Sequence, residues 1–278
     1  MADSDSRCII EKKTDHLFNR CKGGITWEDR EKTEPMGLEI SILGNGGCLN
    51  KGLPHNAFLV DGRLLAEAPP DIMNSLNTHG IRVETIDSVF VSHLHGDHTF
   101  GLPFLIINQW FHSIKAGDGK VLTITGPKGV REHVHQITGL AFKATHPCME
   151  WLKNKVVFRE IDHRSETRLN ANVFSYFKLD HVIDTYGFLI ATPEKKRFAY
   201  IADTRWCPQV ERVLKLNPEF VLMDMNGGEI HISPDEVIEK GLPLIKKGTV
   251  ICGTHLSEEF TSARDALTCA KPGELIVI

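Results

Sequence analysis

The chain has 278 residues, a formal net charge of -4 at pH 7, 41% hydrophobic residues and 24% charged residues. This balance supports one large globular domain or two small ones and excludes the basic surface of a dedicated nucleic-acid binder. No apolar run approaches the ~18 residues that a membrane-spanning helix needs.

Residues 1–36 are charged and weakly periodic, and they read as an N-terminal extension to a single domain over 37–278. Met1 to Asp5 is acidic and polar, unlike a secretory signal. The seven cysteines are odd in number and form no CxxC pair, which points to a reduced, cytoplasmic setting. A metal site from Cys8, His16 and Cys21 is disfavoured, because the spacing fits no metal pattern.

From Gly37 onward strands and helices alternate. Leu38 to Leu43 reads as a strand, and Gly44-Asn45-Gly46-Gly47 as a tight turn that needs glycine's backbone freedom. Ala57 to Val60 and Leu64 to Ala66 form a hairpin across Asp61-Gly62. Pro69-Pro70-Asp71 opens a helix to about Thr78. Ile86 to Val91 is a strand, Phe104 to Phe111 a core helix, Val121 to Thr125 a strand, and a further helix runs through Ile137. His146 and Trp151 fall in an irregular stretch, which reads as loop packing rather than a lid.

Further strands are expected at Lys155 to Ile161, Val173 to Leu179, Phe188 to Ala191, Phe198 to Ile201, Phe220 to Met223 and Thr249 to Cys252. Ser233-Pro234-Asp235-Glu236 carries the signals of a helix start, and Ser257 caps a helix through about Leu267. Two mixed sheets packed face to face with helices outside, an α/β layered architecture, accommodate this order.

The most informative segment is His93-Leu94-His95-Gly96-Asp97-His98. It packs three imidazoles and a carboxylate into six residues, between a strand and an apolar helix. Left buried and unpartnered, such groups would each cost roughly 1–3 kcal/mol. His and Asp are also the side chains that hold zinc and similar divalent ions. A strand-loop-helix carrying this run resembles the metallo-β-lactamase superfamily, whose fold is an αββα sandwich.

The resemblance implies three further ligands at strand ends, and His181, Asp203 and His255 occur in that order and context. It implies His93, His95 and His181 on one ion, Asp97, His98 and His255 on a second, and Asp203 bridging both. Zinc is the expected metal, with manganese and iron as alternatives. A water or hydroxide between the ions would serve as nucleophile at neutral pH. The cationic centre should attract a small anionic substrate despite the negative net charge.

Leu43-Gly44-Asn45-Gly46-Gly47, Gly101-Leu102-Pro103, Thr125-Gly126-Pro127-Lys128-Gly129, Tyr186-Gly187-Phe188 and Thr254-His255-Leu256-Ser257 are similar to ribonuclease Z and related phosphodiesterases. That branch carries a His near the scissile phosphate, which implies a general-acid role for His231, with Asp224 orienting it and Asp97 as the second catalytic residue. It also implies a homodimer.

Two departures stand out. The branch often has a long arm for transfer RNA between the third His ligand and the bridging Asp, whereas Gly187 to Phe198 reads as a plain hairpin, with Lys195, Lys196 and Arg197 at its solvated tip. A small phosphodiester such as a cyclic nucleotide is therefore favoured over extended nucleic acid. The branch also usually has Asp where Glu67 stands, and Glu67 is expected to accept hydrogen bonds behind the ligands.

The alternatives are a thioesterase or lactonase, a ribonuclease Z-like RNA-processing endonuclease, and a non-catalytic metal-bound sensor. His133 and His135 lie two apart on a helix and should not share an ion. His163 and Arg164 are weaker candidates for substrate contact.

Overall fold

The computed structural model describes residues 37–117, 119–162, 166–169, 171–260 and 267–278. The N-terminal extension, Cys8, His16, Cys21, His163 and Arg164 lie outside the described residues. The helix expected from Ser257 through about Leu267 is corrected: Ser257 to Phe260 is not helical and Leu267 begins a strand, with 261–266 outside the described residues.

The elements in chain order are β1 (Glu39–Gly44), β2 (Ala57–Val60), β3 (Leu64–Ala66), α1 (Ile72–Thr78), β4 (Ser88–Phe90), α2 (Gly96–Thr99), α3 (Leu102–Ala116), β5 (Leu122–Gly126), α4 (Val130–Phe142), α5 (Pro147–Lys155) and β6 (Val156–Glu160). The second half comprises β7 (Glu166–Leu169), β8 (Asn172–Leu179), β9 (Thr185–Ala191), β10 (Arg197–Ile201), α6 (Pro208–Lys215), β11 (Phe220–Asp224), α7 (Pro234–Glu236), β12 (Val250–Thr254), β13 (Leu267–Cys269) and β14 (Leu275–Val277).

Among the described residues the strands form two seven-stranded mixed sheets, ordered β14-β1-β2-β3-β4-β5-β6 and β13-β12-β11-β10-β9-β8-β7. Side-chain alternation along each strand builds the layers. Phe58, Val60, Leu64, Ala66 and Phe90 face the second sheet and share a core with Phe188, Phe198, Tyr200, Phe220 and Leu222. Their neighbours Ala57, Leu59, Leu65, Val89 and Val91 face the other way, into a core with Ile72, Leu76, Leu102, Leu105, Ile106 and Val134 of the helices. This is the αββα sandwich.

Several local expectations are corrected. Gly44, Gly46 and Gly47 are not in the left-handed region; they are required by close approach. A Cβ on Gly44 would lie 1.9 Å from the His55 carbonyl oxygen, and one on Gly47 would lie 3.0 Å from the His255 ring. The stretch after Gly139 is not irregular: His146 caps α5, accepting from the Cys148 N–H through its side chain, and Trp151 is buried on that helix. The helix read as core is only half so, since Leu105, Ile106 and Gln109 are buried but Phe104 and Phe111 are about half exposed. The hairpin across Asp61-Gly62 forms as expected, with φ of 50° and 63° at those residues. No helix of the described residues is long and apolar enough to cross a membrane.

Candidate metal centre

Strand direction brings the candidate residues to one edge of the sandwich. In the first sheet β4 runs parallel to β3 and β5, and its C-terminal end leads through Val91-Ser92 into His93. In the second sheet β10, β11 and β12 are mutually parallel and in register, Ile201 beside Met223 and Asp224 beside Thr254. Asp203, Asp224 and His255, at or just beyond the ends of these strands, therefore emerge together. β9 is antiparallel to both β8 and β10, so β8 also ends at this edge and delivers His181.

All eight residues singled out for the site meet there. His93 Nε2 lies 3.6 Å from Asp203 Oδ2, His98 Nε2 3.5 Å from Asp203 Oδ1, and His255 Nε2 3.4 Å from Asp203 Oδ2. His181 Nε2 lies 4.0 Å from Asp203 Oδ2. Asp97 Oδ2 is 3.2 Å from His255 Nε2 and 3.6 Å from His98 Nε2. Donor atoms of His93, His95 and His181 lie within 4.8 Å of one another, as do those of Asp97, His98 and His255. These are the two trios expected from the sequence, with Asp203 between them.

The donor set fits divalent cations. His98 Nε2, His181 Nε2 and Asp203 Oδ1 are buried without a hydrogen bond. Three such unsatisfied polar atoms would together cost several kcal/mol, at about 1–3 kcal/mol each. Divalent cations held among these imidazole nitrogens and carboxylate oxygens would remove that penalty.

The protonation pattern arises from crowding. Burial and the neighbouring imidazoles push the His93 pKa well below the usual histidine value. Burial also opposes the charged form of His98, but the Asp203 and Glu67 carboxylates outweigh it and hold its pKa well above the usual value. His255 is likewise desolvated, yet Asp203, Asp224 and Asp97 raise it to about 10. Burial would raise the Asp97 and Asp203 carboxyls, but the surrounding histidines hold both well below the usual carboxylate range.

His231 sits beside this cluster. Its Nδ1 is 2.7 Å from Asp224 Oδ2, and its ring centroid is 5.2 Å from that of His255 and 5.3 Å from that of His181. Asp224 is fully buried and engaged on every side. It accepts from the backbone N–H groups of Thr204 and Asn226, and its Oδ1 is 3.4 Å from His255 Nδ1. Asp203, Asp224, His231 and His255 also form a group close enough to hold an ion. Both Asp224 oxygens already accept from backbone N–H donors.

Glu67 is fully buried in the left-handed backbone region, with φ of 65°. Its Oε2 accepts from the Ser92 N–H and lies 3.3 Å from His98 Nδ1, so it backs the ligand loop. His255 has a φ of 54°. Two non-glycine residues in that region cost about 1–3 kcal/mol each, and both flank the centre. Other candidates lie apart: His135 is half-buried with its Nδ1 2.8 Å from the Arg131 carbonyl oxygen, and His133 Nε2 instead meets Thr99 Oγ1 at 3.0 Å. Arg205 was not anticipated; its Nε donates to the Glu229 carbonyl and its guanidinium reaches Asp180, tying the His231 loop to the His181 loop.

A family model described as Anti-Pycsar protein Apyc1 matches residues 38–266. Among curated proteins, ribonuclease Z of Staphylococcus carnosus is 29% identical over 163 residues, covering 56% of this chain and 50% of the relative. Ribonuclease Z of Staphylococcus epidermidis is 33% identical over 115 residues, covering 41% of this chain and 34% of the relative. The chain thus spans half or less of the length of these relatives.

Among solved structures, the metallo-β-lactamase fold protein YhfI of Bacillus subtilis superposes with a TM-score of 0.68 at 17% identity, covering 86% of this chain and 98% of the other. Human tRNase Z, short form, superposes with a TM-score of 0.66 at 19% identity, covering 86% and 99%. Yeast PDE1 gives 0.61 at 12% identity, covering 87% and 99%. At these identities the likeness establishes the fold, a metallo-β-lactamase fold.

Proposed function

The chain belongs to the Anti-Pycsar protein Apyc1 family, and from that premise we propose that it is a metal-dependent phosphodiesterase acting on a small phosphodiester such as a cyclic nucleotide. The observation that carries the reading is His231 held at 2.7 Å by buried Asp224, next to two histidine-carboxylate trios that share Asp203. His93, His95 and His181 would hold one divalent ion and Asp97, His98 and His255 the other, with Asp203 reaching both. Zinc is the first choice, manganese or iron the alternatives. Such ions supply Lewis acidity and a nucleophile available at neutral pH.

The protein's own groups do the rest. Asp224 engages Nδ1 of His231, which directs Nε2 to give or take a proton. That suits a reaction in which an alkoxide leaves and must be protonated. The Arg205 tie keeps the His231 loop beside the His181 loop, so the imidazole stays within reach of the centre. The cationic centre favours an anionic substrate, and small size is supported by the tight β9–β10 connection, where Ala191 pairs directly with Arg197.

A second reading, an RNA-processing endonuclease, draws support from the identity with ribonuclease Z of two staphylococci. Cyclic nucleotides, bis(p-nitrophenyl) phosphate and precursor transfer RNA, tested on protein of measured metal content, separate the two. Hydrolysis of the first two with about two ions per chain is expected, and Asp203→Ala should lose both metal and rate. Full activity in rigorously metal-free protein would overturn both readings.

A further inference from the structure

Behind the centre lies a buried line of hydrogen bonds with no part in proton transfer to substrate. Thr254 Oγ1 donates to Asn56 Oδ1 at 2.6 Å, Asn56 Nδ2 donates to the Tyr200 hydroxyl at 2.8 Å, and that hydroxyl donates to Glu67 Oε1 at 3.0 Å. Each of its three bonds crosses between the sheets. Thr254 and Tyr200 belong to β12 and β10, while Asn56 precedes β2 and Glu67 comes just after β3. Every member is buried, and Tyr200 is the largest fully buried side chain among the described residues.

Its direction is forced. A carboxylate only accepts, so Tyr200 must spend its single proton on Glu67. The Tyr200 oxygen must then accept from Asn56, which turns the amide so that its carbonyl faces Thr254. With Oε1 occupied, Oε2 is the oxygen that takes the Ser92 N–H and faces His98 Nδ1. His98 Nδ1 makes no hydrogen bond in this structure but lies 3.3 Å from that oxygen; a proton drawn to Nδ1 by the Glu67 carboxylate leaves the lone pair on Nε2, the atom 3.5 Å from Asp203 and 3.6 Å from Asp97.

We propose that Tyr200, Asn56 and Thr254 are positioning residues for the second ion: they hold the Glu67 carboxylate in the rotamer that presents His98 Nε2 to the trio with Asp97 and His255. The proposal rests on the two-ion reading above. Tyr200 makes this an arrangement across the sandwich. The aromatic body packs on Phe58 and Phe90 at centroid distances of 4.9 and 6.3 Å, so its hydroxyl is placed by the core and not by a loop. The same strand that ends two residues before Asp203 thereby also sets the orientation of His98.

The test is an equilibrium zinc titration against a competing chelator, on wild type, Tyr200→Phe and Thr254→Val. Tyr200→Phe keeps the ring and removes the hydroxyl, and circular dichroism should report an unchanged fold. The expected result is about a ten- to hundred-fold weaker affinity at one site, the range for lost outer hydrogen bonds behind ligands, with the other site within twofold. Thr254→Val, two bonds further away, should give a smaller loss at the same site. In a Glu67→Gln background Tyr200→Phe should add little, since both act on His98 through one carboxylate. Unchanged affinity at both sites in Tyr200→Phe, or equal loss at both, overturns the positioning role and leaves the two-ion reading standing. A wild type that binds no metal overturns both.

Discussion

His231 owes its proposed role to one contact, the 2.7 Å approach of Nδ1 to Asp224. Removing the imidazole with His231→Ala should lower kcat on phosphodiesters by about 10²–10⁴-fold and leave metal content unchanged, as measured by steady-state kinetics beside elemental analysis. Equal rates in the variant would sink the general-acid assignment. His98 and His255 give a second prediction. Both have raised pKa values, His255 to about 10, so both carry a proton at neutral pH before an ion arrives. Metal uptake must displace those protons, so affinity should fall as pH falls. Calorimetry in buffers of different ionisation enthalpy should show net proton release near pH 7.5. At this scale the sequence was most legible where chemistry was contiguous. His93 to His98 is a single run, and His181, Asp203 and His255 each come just after an apolar strand. Tyr200 and Asn56 were not legible, because a Tyr inside an apolar strand and an Asn in a loop signal nothing until the two sheets bring them together.

Secondary elements hold these residues in place through unusually close backbone packing. A Cβ on Gly101, at the entry to α3, would lie 2.1 Å from the Pro69 carbonyl oxygen and 2.5 Å from Ile72. Neither backbone nor buried Ile72 can yield cheaply. Gly101→Ala should therefore destabilise the protein by at least about 1–3 kcal/mol, the usual scale of overpacking, in a denaturant titration. A variant as stable as wild type would show that α3 shifts freely. The strands flanking the ligands and the capping box at Ser233 and Glu236 were readable from alternation and turn chemistry. β7, β13 and β14 were not, since three or four residues carry too little alternation to register. α6 also escaped the sequence reading, although Pro208 after Cys207 and apolar Val210, Val213 and Leu214 carry a helical period. The close-approach glycines were seen as turn formers because a sequence displays a glycine's chain neighbours, not the distant backbone that crosses it.

For the molecule as a whole, the ionisation pattern sets a stability profile. Without metal, His98 and His255 contribute stability that is complete below the usual histidine value of 6.5 and is lost as pH rises, for His255 through about 10. Asp97 and Asp203 contribute above 3.8 and lose it as pH falls. The lowered pKa values of His93, His95 and His181 work the other way and withdraw stability as pH falls below 6.5, so the melting temperature of chelator-treated protein should be highest near about pH 6.5 and decline towards both pH 4 and pH 10. Added ion should reverse that decline, with about 2.7 kcal/mol per site at a free concentration one hundred times Kd. A melting profile that ignores zinc at pH 8 would contradict this linkage. The fold class itself was legible because the strand-helix alternation and the ligand run agree; the pairing order of the sheets was not, being decided by contacts far apart in sequence.

One consequence concerns how the molecule is made. Asp97 and His255 stand 158 positions apart and come from opposite sheets. Neither half of the chain can assemble either of the two trios alone. An ion held by those trios therefore cannot seed the early, local steps of folding; it can only recognise chains whose halves have already met. During refolding, zinc capture would act as a late inspection of the finished product, trailing the appearance of strands and helices and selecting the correctly docked sandwich from the rest.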